Sequence, residues 1–176
     1  DIGGGSTEIT TGSKNSIYEK FSIDIGAVRL TQMFLGQNAV TCEGISNIFH
    51  YVNGKLDEAG DLELSGMKII GTGGTIKSIG TILKKEEYWD DEFVHGMAVS
   101  ISGVEYIYDF LAQCSQEEKM NIKGLNPKRA DVITAGIIIL LTLMKRFGLD
   151  HITISSRGVI EGFMEDYLSL NVGRGG

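Results

Sequence analysis

Proline is almost missing from this chain. A single residue, Pro127, among 176 leaves no Pro-rich linker to divide the molecule. Cysteine is nearly as scarce. Cys42 and Cys114 have no metal-ligand spacing and are too few for a disulfide scaffold. Their expected state is a pair of buried, reduced thiols in a cytoplasmic protein. Long apolar runs are lacking as well. The longest, Val132 to Met144, has 13 residues and stops at Lys145-Arg146, against the roughly 20 that a membrane-spanning helix needs. Basic charge is in deficit, with 16 Lys and Arg against 23 Asp and Glu and a net charge of −7. That balance argues against general affinity for nucleic acid or an anionic membrane.

What the chain has in abundance is glycine, 24 residues gathered largely in short clusters, which implies several tight loops. Its 42% apolar and 22% charged residues are those of a globular domain with a full core. The densest cluster opens the sequence: Asp1-Ile-Gly-Gly-Gly-Ser-Thr-Glu8. Glycines let a backbone turn tightly and expose its N–H groups to an anion, and Asp1 and Glu8 add hard oxygen ligands suited to Mg²⁺ beside phosphate. Neither an initiator methionine nor an apolar strand leads into this motif. The expectation is therefore a piece of a longer protein, with part of its active site elsewhere.

Periodicity places the loops. Ser6 to Thr11 is rich in β-branched residues, Gly12 to Asn15 supplies turn chemistry, and Ser16 to Ile25 alternates with Ile17, Phe21, Ile23 and Ile25 on one face. The opening glycines thus precede a hairpin. A Walker loop or a dinucleotide fingerprint needs its glycines to open a helix, so both are disfavoured. Ala27 to Leu35 reads as a short helix. Ile45, Ile48, Phe49, Val52 and Leu56 mark a second, with Thr41 as its cap. Met67 to Ile70 is a short buried strand running into Gly71-Thr-Gly-Gly74, with Thr75 capping a helix through Lys85.

Further along, Phe93 to Ile101 is a candidate strand, and Ser102 and Ser115 each stand three residues before a glutamate, the capping-box spacing. Asn126-Pro127 caps a long helix ending at Lys145-Arg146, with Gly148 at C′. His151 to Ser155 reads as a strand, Ser156-Arg-Gly158 as a turn, and a final helix is expected to turn Phe163, Met164, Tyr167 and Leu168 inward. Gly173 to Gly176 reads as a tail. Strand–helix alternation with an opening hairpin gives an α/β fold. In such sheets ligands bind at the carboxyl ends of strands. The loops Asp1–Thr7, Gly71–Thr75 and Ser155–Gly158 are expected to converge there.

Five motifs, in order, carry a resemblance. They are the opening octapeptide, Ile25-Gly-Ala-Val-Arg-Leu-Thr31, Gly71-Thr-Gly-Gly-Thr75, Arg129-Ala-Asp-Val-Ile133 and Ser155-x-x-Gly158-x-x-Glu-Gly162. Together they resemble the Ppx/GppA family, the exopolyphosphatases and guanosine pentaphosphate phosphohydrolases of the actin-like ATPase superfamily. The resemblance implies an actin-like (ribonuclease H-like) α/β domain: a mixed sheet with an antiparallel hairpin edge and helices on both faces. It implies that residues 1–172 are the second of two such domains, and that the first, with its own phosphate loop and the glutamate positioning the attacking water, lies outside this chain. The implied site has Asp1 and Glu8 at the metal as catalytic residues, and the backbone of Gly3, Gly4, Gly5, Ser6 and Thr7 on the terminal phosphates. Position 160 is Ile where the family usually has Arg, and Lys119 stands where Arg is common.

The remaining candidates rest on their surroundings. Gly73 and Gly74 face a ligand or form a tight turn, and Arg157 is the best remaining cation for a polyanion. Arg29 reaches phosphate or pairs with Glu19 or Asp24. Arg129 and Asp131 read as a structural ion pair or cap, and His95 as a structural histidine. No Ser-His-Asp or Cys-His set is evident. The expected chemistry is in-line attack of water, assisted by Mg²⁺ or another divalent cation, on a terminal phosphoryl group of inorganic polyphosphate or pppGpp. It would occur in the cytoplasm, and this fragment alone would have little activity. The expected partner is the missing N-terminal domain, with a homodimer left open. A small-molecule kinase of the same superfamily and a non-catalytic polyphosphate or nucleotide sensor are the competing readings.

Overall fold

The computed structural model describes residues 1–14, 16–36, 41–60, 62–64, 66–85, 91–158, 161–165 and 167. Strands β1 (Thr7–Ser13) and β2 (Ser16–Ile23) form an antiparallel hairpin with a register shift between Thr11 and Gly12. The expected alternation holds at its base, where Ile23 is buried, and fails at its tip, where Ile17 is exposed because the hairpin projects beyond the core. Helix α1 (Ala27–Leu30) continues as a π-helical turn over Thr31–Leu35. Helix α2 (Cys42–Ala59) starts where expected: the Thr41 hydroxyl accepts from the Gly44 N–H at 3.0 Å.

Three short strands form a second sheet in the order β3 (Ile70–Gly71), β5 (His151–Ile154), β4 (Ala98–Ser100). The β3–β5 pair is parallel and the β4–β5 pair antiparallel. Strand–helix alternation suggested more parallel pairing than this. β4 runs antiparallel to β5, and helix α4 (Ile101–Gln113) follows it directly. Its N-cap is Ser100, whose hydroxyl receives the Gly103 N–H, so the expected box at Ser102 is displaced. The second expected box does form: Ser115 and Glu118 cap each other at the start of α5 (Gln116–Met120).

The core is built around α6 (Ile133–Arg146), preceded by a 3₁₀ turn at Pro127–Arg129 that Asn126 caps. Every residue from Ile133 to Met144 is buried, as an apolar-all-round helix requires. Helices α1, α2 and α4 contribute Leu30, Ile48, Val52, Val104 and Ile107 to the same cluster. Helix α3 (Gly74–Lys84) approaches α6 so closely that a Cβ on Gly136 would come within 2.3 Å of the Thr75 Oγ1.

Thr75 is consequently not the cap expected of it. It lies inside α3, buried, and the cap is Gly73 at φ 93°, a conformation that suits glycine. Helical residues 161–165 correct another expectation: Phe163, Met164 and the nearby Tyr167 are exposed, so this segment turns its large apolar side chains outward. Leu168, Ile160 and the tail lie outside the described residues. Among the described residues, no helix is long and apolar enough to cross a membrane.

Candidate functional site

The two sheets meet at Ile2. It bridges antiparallel to Thr7 on the hairpin side, and its N–H donates to the Thr72 carbonyl at 3.3 Å on the other. This double attachment draws the first two loops together. The third joins through backbone and hydroxyl bonds: the Ser155 N–H donates to the Gly71 carbonyl at 2.8 Å, and the Thr72 hydroxyl donates to the Arg157 carbonyl at 3.1 Å. All three glycine-containing loops lie at one end of the sheets. A groove of about 950 Å³ runs beside them, lined in part by Asp1, Glu8, Lys20, Lys68 and Arg157.

Asp1 and Glu8 face one another across the base of the first loop. The Asp1 amine donates to the Glu8 carbonyl at 2.8 Å and the Glu8 N–H returns to the Asp1 carbonyl at 2.9 Å. Residues paired in this way have Cα atoms about 5.5 Å apart and side chains on the same face. Glu8 is held by two hydroxyls, those of Ser6 and, at 3.1 Å, Ser22. The Asp1 carboxylate reaches toward the second loop, where a Cβ on Gly73 would sit 2.5 Å from Oδ1. Two carboxylates on one exposed face fit Mg²⁺, which keeps several waters and takes its other ligands from substrate phosphate. Among the described residues, no cluster of three or more His, Cys, Asp or Glu side chains makes an all-protein cage.

Between the acids, the loop orients its peptides by their carbonyls. The Gly3 carbonyl accepts from the Ala27 N–H, the Gly4 carbonyl from those of Val28 and Arg29, each at 3.0 Å, and the Gly5 carbonyl from Arg29 Nε at 2.8 Å. No peptide bond is cis among the described residues, so each captured carbonyl sends the following N–H the opposite way. The N–H groups of Gly4, Gly5 and Ser6 therefore point away from α1. None of them has an acceptor among the described residues.

Gly26 makes this approach possible, since a Cβ there would come within 2.3 Å of the Gly4 carbonyl oxygen. The two outer residues expected in the cradle behave differently. The Gly3 N–H donates to the Ser6 carbonyl at 3.0 Å, and the buried Thr7 directs its hydroxyl to the Ile25 carbonyl at 2.5 Å.

The second loop presents the start of α3. Its cap makes no side-chain bond to the first-turn N–H groups, so the positive end of an 11-residue helix begins beside the Asp1 carboxylate. Over it lies Arg129. A Cβ on Gly74 would fall 1.8 Å from its Nη1, and its exposed guanidinium forms no ion pair with Asp131 among the described residues. The structural pairing expected of Arg129 is thus replaced by a cation lying over the second loop. Sequence position alone does not show this, because Arg129 meets Gly74 only through the tertiary fold.

Arg157 projects from the third loop. Its backbone is fixed by Ser155, whose hydroxyl donates to the Arg157 carbonyl at 2.9 Å. His95 is structural, as expected: Nδ1 accepts the Ser156 N–H at 3.2 Å. Glu161 accepts the Gly158 N–H at 2.8 Å, which holds its carboxyl below the usual range. Arg29 pairs with Asp24 at 3.2 Å, with Glu19 left aside.

One end of this α/β domain gathers two carboxylates, three backbone N–H groups with no acceptor among the described residues, and two arginines. Comparison with known proteins names the family. Residues 1–170 match the model of the Ppx/GppA phosphatase family, and the chain belongs to that family.

Among curated relatives, the chain is 34% identical over 165 residues to a bifunctional 3-dehydroquinate synthase/phosphatase of Fusobacterium nucleatum. That match covers 92% of the chain and 24% of the relative. It is 28% identical to exopolyphosphatase 2 of Mycobacterium tuberculosis, covering 92% of the chain and 52% of that protein. The crystal structure of the Aquifex aeolicus Ppx/GppA family member superposes with a TM-score of 0.87 at 29% identity, over 97% of this chain and 55% of that one. The chain thus spans about half the length of this exopolyphosphatase and this solved structure. The fold is the actin-like α/β type of these structures, with its mixed sheet and antiparallel hairpin.

Proposed function

We propose that this chain is the second actin-like domain of a hydrolase that removes a terminal phosphate from inorganic polyphosphate or pppGpp. The observation that carries the reading is the run of three outward N–H groups at Gly4, Gly5 and Ser6, flanked in register by the Asp1 and Glu8 carboxylates. The three N–H groups would bind the equatorial oxygens of the phosphoryl group, where charge gathers in an in-line displacement. The start of α3, Arg129 and Arg157 would hold the rest of the polyanion from the other side of the cleft.

Asp1 and Glu8 would hold a Mg²⁺ ion or its waters. When bound, the ion neutralises phosphate charge and lowers the cost of the transition state. Glu8, fixed by the Ser6 and Ser22 hydroxyls, keeps its oxygens aimed rather than free to rotate. Among the described residues of this cleft none stands out as the base that takes a proton from water, and we assign that role to a preceding domain closing over the site. The chain alone is accordingly expected to hydrolyse little polyphosphate.

The test is phosphate release by the longer protein from both substrates with Mg²⁺, compared with E8Q. Release from either substrate, abolished by E8Q in a folded protein, supports the reading. A product formed only with ATP points to the kinase, and tight polyphosphate binding without release points to a sensor. Robust turnover by the 176-residue chain would overturn the assignment of the base to another domain.

A further inference from the structure

The capture of the first loop from behind is unequal along its length. Two of its peptides are fixed by backbone: the Gly3 and Gly4 carbonyls take the N–H groups of Ala27, Val28 and Arg29. Those donors belong to α1 and cannot leave without unwinding it. The third peptide, between Gly5 and Ser6, is held by one side-chain atom, Arg29 Nε, at 2.8 Å. The same guanidinium is oriented by Asp24 through Nη2 at 3.2 Å. A Cβ added to Gly5 would meet nothing within 4 Å, so the loop is unpacked on its outer side there, and among the described residues Arg29 Nε is the hydrogen-bond donor that holds the Gly5 carbonyl.

We infer that Arg29 is a positioning residue that sets the direction of the Ser6 N–H, one of the three donors of the proposed phosphate cradle. The inference rests on the anion-binding reading above and goes beyond it, because it gives Arg29 no contact with the ligand. A trans peptide turns as a unit. With Nε bonded to the Gly5 carbonyl, the Ser6 N–H points outward, away from α1. Without that bond the Gly5 carbonyl loses its donor, the Gly5–Ser6 peptide is no longer fixed by a hydrogen bond, and the cradle falls from three aligned donors to two. The Gly4 and Gly5 N–H groups stay in place, since helix α1 holds the carbonyls behind them.

Arg29 therefore acts through geometry as much as charge. Its Nε lies in the plane of the guanidinium, on a stem that Asp24 orients. Lysine has no equivalent donor at that point along the side chain. Asp24, being exposed and bonded to Nη2 rather than to the loop, supports the arrangement without touching the Gly5 carbonyl.

The test is an amide-resolved titration of the 176-residue chain by ¹⁵N NMR with tripolyphosphate, and with orthophosphate as a second probe. The parent chain is expected to shift Gly4, Gly5 and Ser6 together. R29K and R29A are expected to lose the Ser6 shift, keep those of Gly4 and Gly5, and bind about tenfold more weakly, the loss of one hydrogen bond to a charged group. D24N keeps the Nε bond and is expected to retain all three shifts.

An unchanged Ser6 shift in folded R29K and R29A overturns the role of Arg29 while leaving the cradle intact. A parent chain that shifts none of the three amides overturns the cradle itself, and the Arg29 inference with it. Because R29K keeps the charge and the partner Asp24, it guards against reading a folding defect of R29A as a positioning effect.

Discussion

The Arg129 guanidinium occupies the space that a side chain at position 74 would need: a Cβ on Gly74 would lie 1.8 Å from Nη1 and 1.9 Å from Cζ. The two residues are 55 positions apart in sequence, yet the arginine can lie where it does only because position 74 is glycine. The clash of G74A is with the far end of a flexible, exposed side chain, so the fold is expected to survive while Arg129 is pushed from the second loop. G74A and R129Q should each weaken polyphosphate binding, and the double variant should be little worse than either single one. A binding cycle of the four proteins checks this; fully additive losses would show that the two residues do not act through one position.

Gly26 makes a different kind of contact. Its missing Cβ would meet backbone on both sides, at 2.3 Å from the Gly4 carbonyl oxygen and 2.4 Å from the Gly5 carbonyl carbon. Neither can step aside as a side chain does. G26A is expected to destabilise the chain by about 1–3 kcal/mol, the range for forcing a methyl into a filled space, and to remove the loop-amide response to phosphate. Urea denaturation read alongside the NMR titration measures both. An unchanged midpoint would contradict the close approach.

At the acidic pair, the expected effects separate activity from stability. Both carboxylates are exposed and lie on one face of a backbone-paired site. D1N and E8Q preserve shape, and each is expected to lower phosphate release by the longer protein on the order of 10²-fold, as loss of a preorganised electrostatic group does. Thermal midpoints should move little. E8Q with full activity would remove Glu8 from the chemistry.

Lys119 gives a pH signature. Its side chain is buried, with its ammonium donating to the Thr134 hydroxyl at 3.0 Å, and burial holds its pKa below the ordinary lysine value of 10.5. The unfolded chain thus binds this proton more tightly than the folded one. Stability from this site is lowest while the amine is charged and rises as pH climbs from the lowered folded value toward 10.5.

Cys114 acts in the opposite sense, because burial raises its pKa above 9.0. The comparison is therefore best made in a C114S background. There, the parent should gain stability on K119M as the solution becomes alkaline, read from urea midpoints. A constant difference across that range would mean the ammonium is better solvated than its burial implies.

Much of this molecule was legible from residue order. The hairpin after the opening glycines, the Thr41 cap, the Ser115–Glu118 box and the thirteen-residue apolar run that becomes α6 are local or periodic signals, and each appears. Where competing signals were close together, the nearer one misled. Ser102 offered the better capping-box spacing, but the antiparallel pairing of β4 with β5 ends at Ser100 and fixes the cap there. Thr75 looked like a cap, yet the approach of α6 at Gly136 buries it.

The candidate site divides along the same line. Sequence alone marked Asp1, Glu8 and the glycines between them, since their chemistry depends on residue type and short spacing. Tertiary structure decided which donors are usable: Gly3 and Thr7 turn theirs to internal carbonyls, whereas Gly4, Gly5 and Ser6 have theirs turned outward by α1 and Arg29. It also moved Arg129 from an expected local ion pair to a place over Gly74 in the second loop. A hydrogen-bond donor has a direction as well as an identity. Direction is set by whatever captures the carbonyl on the other side of the peptide, and here those partners lie more than twenty residues away.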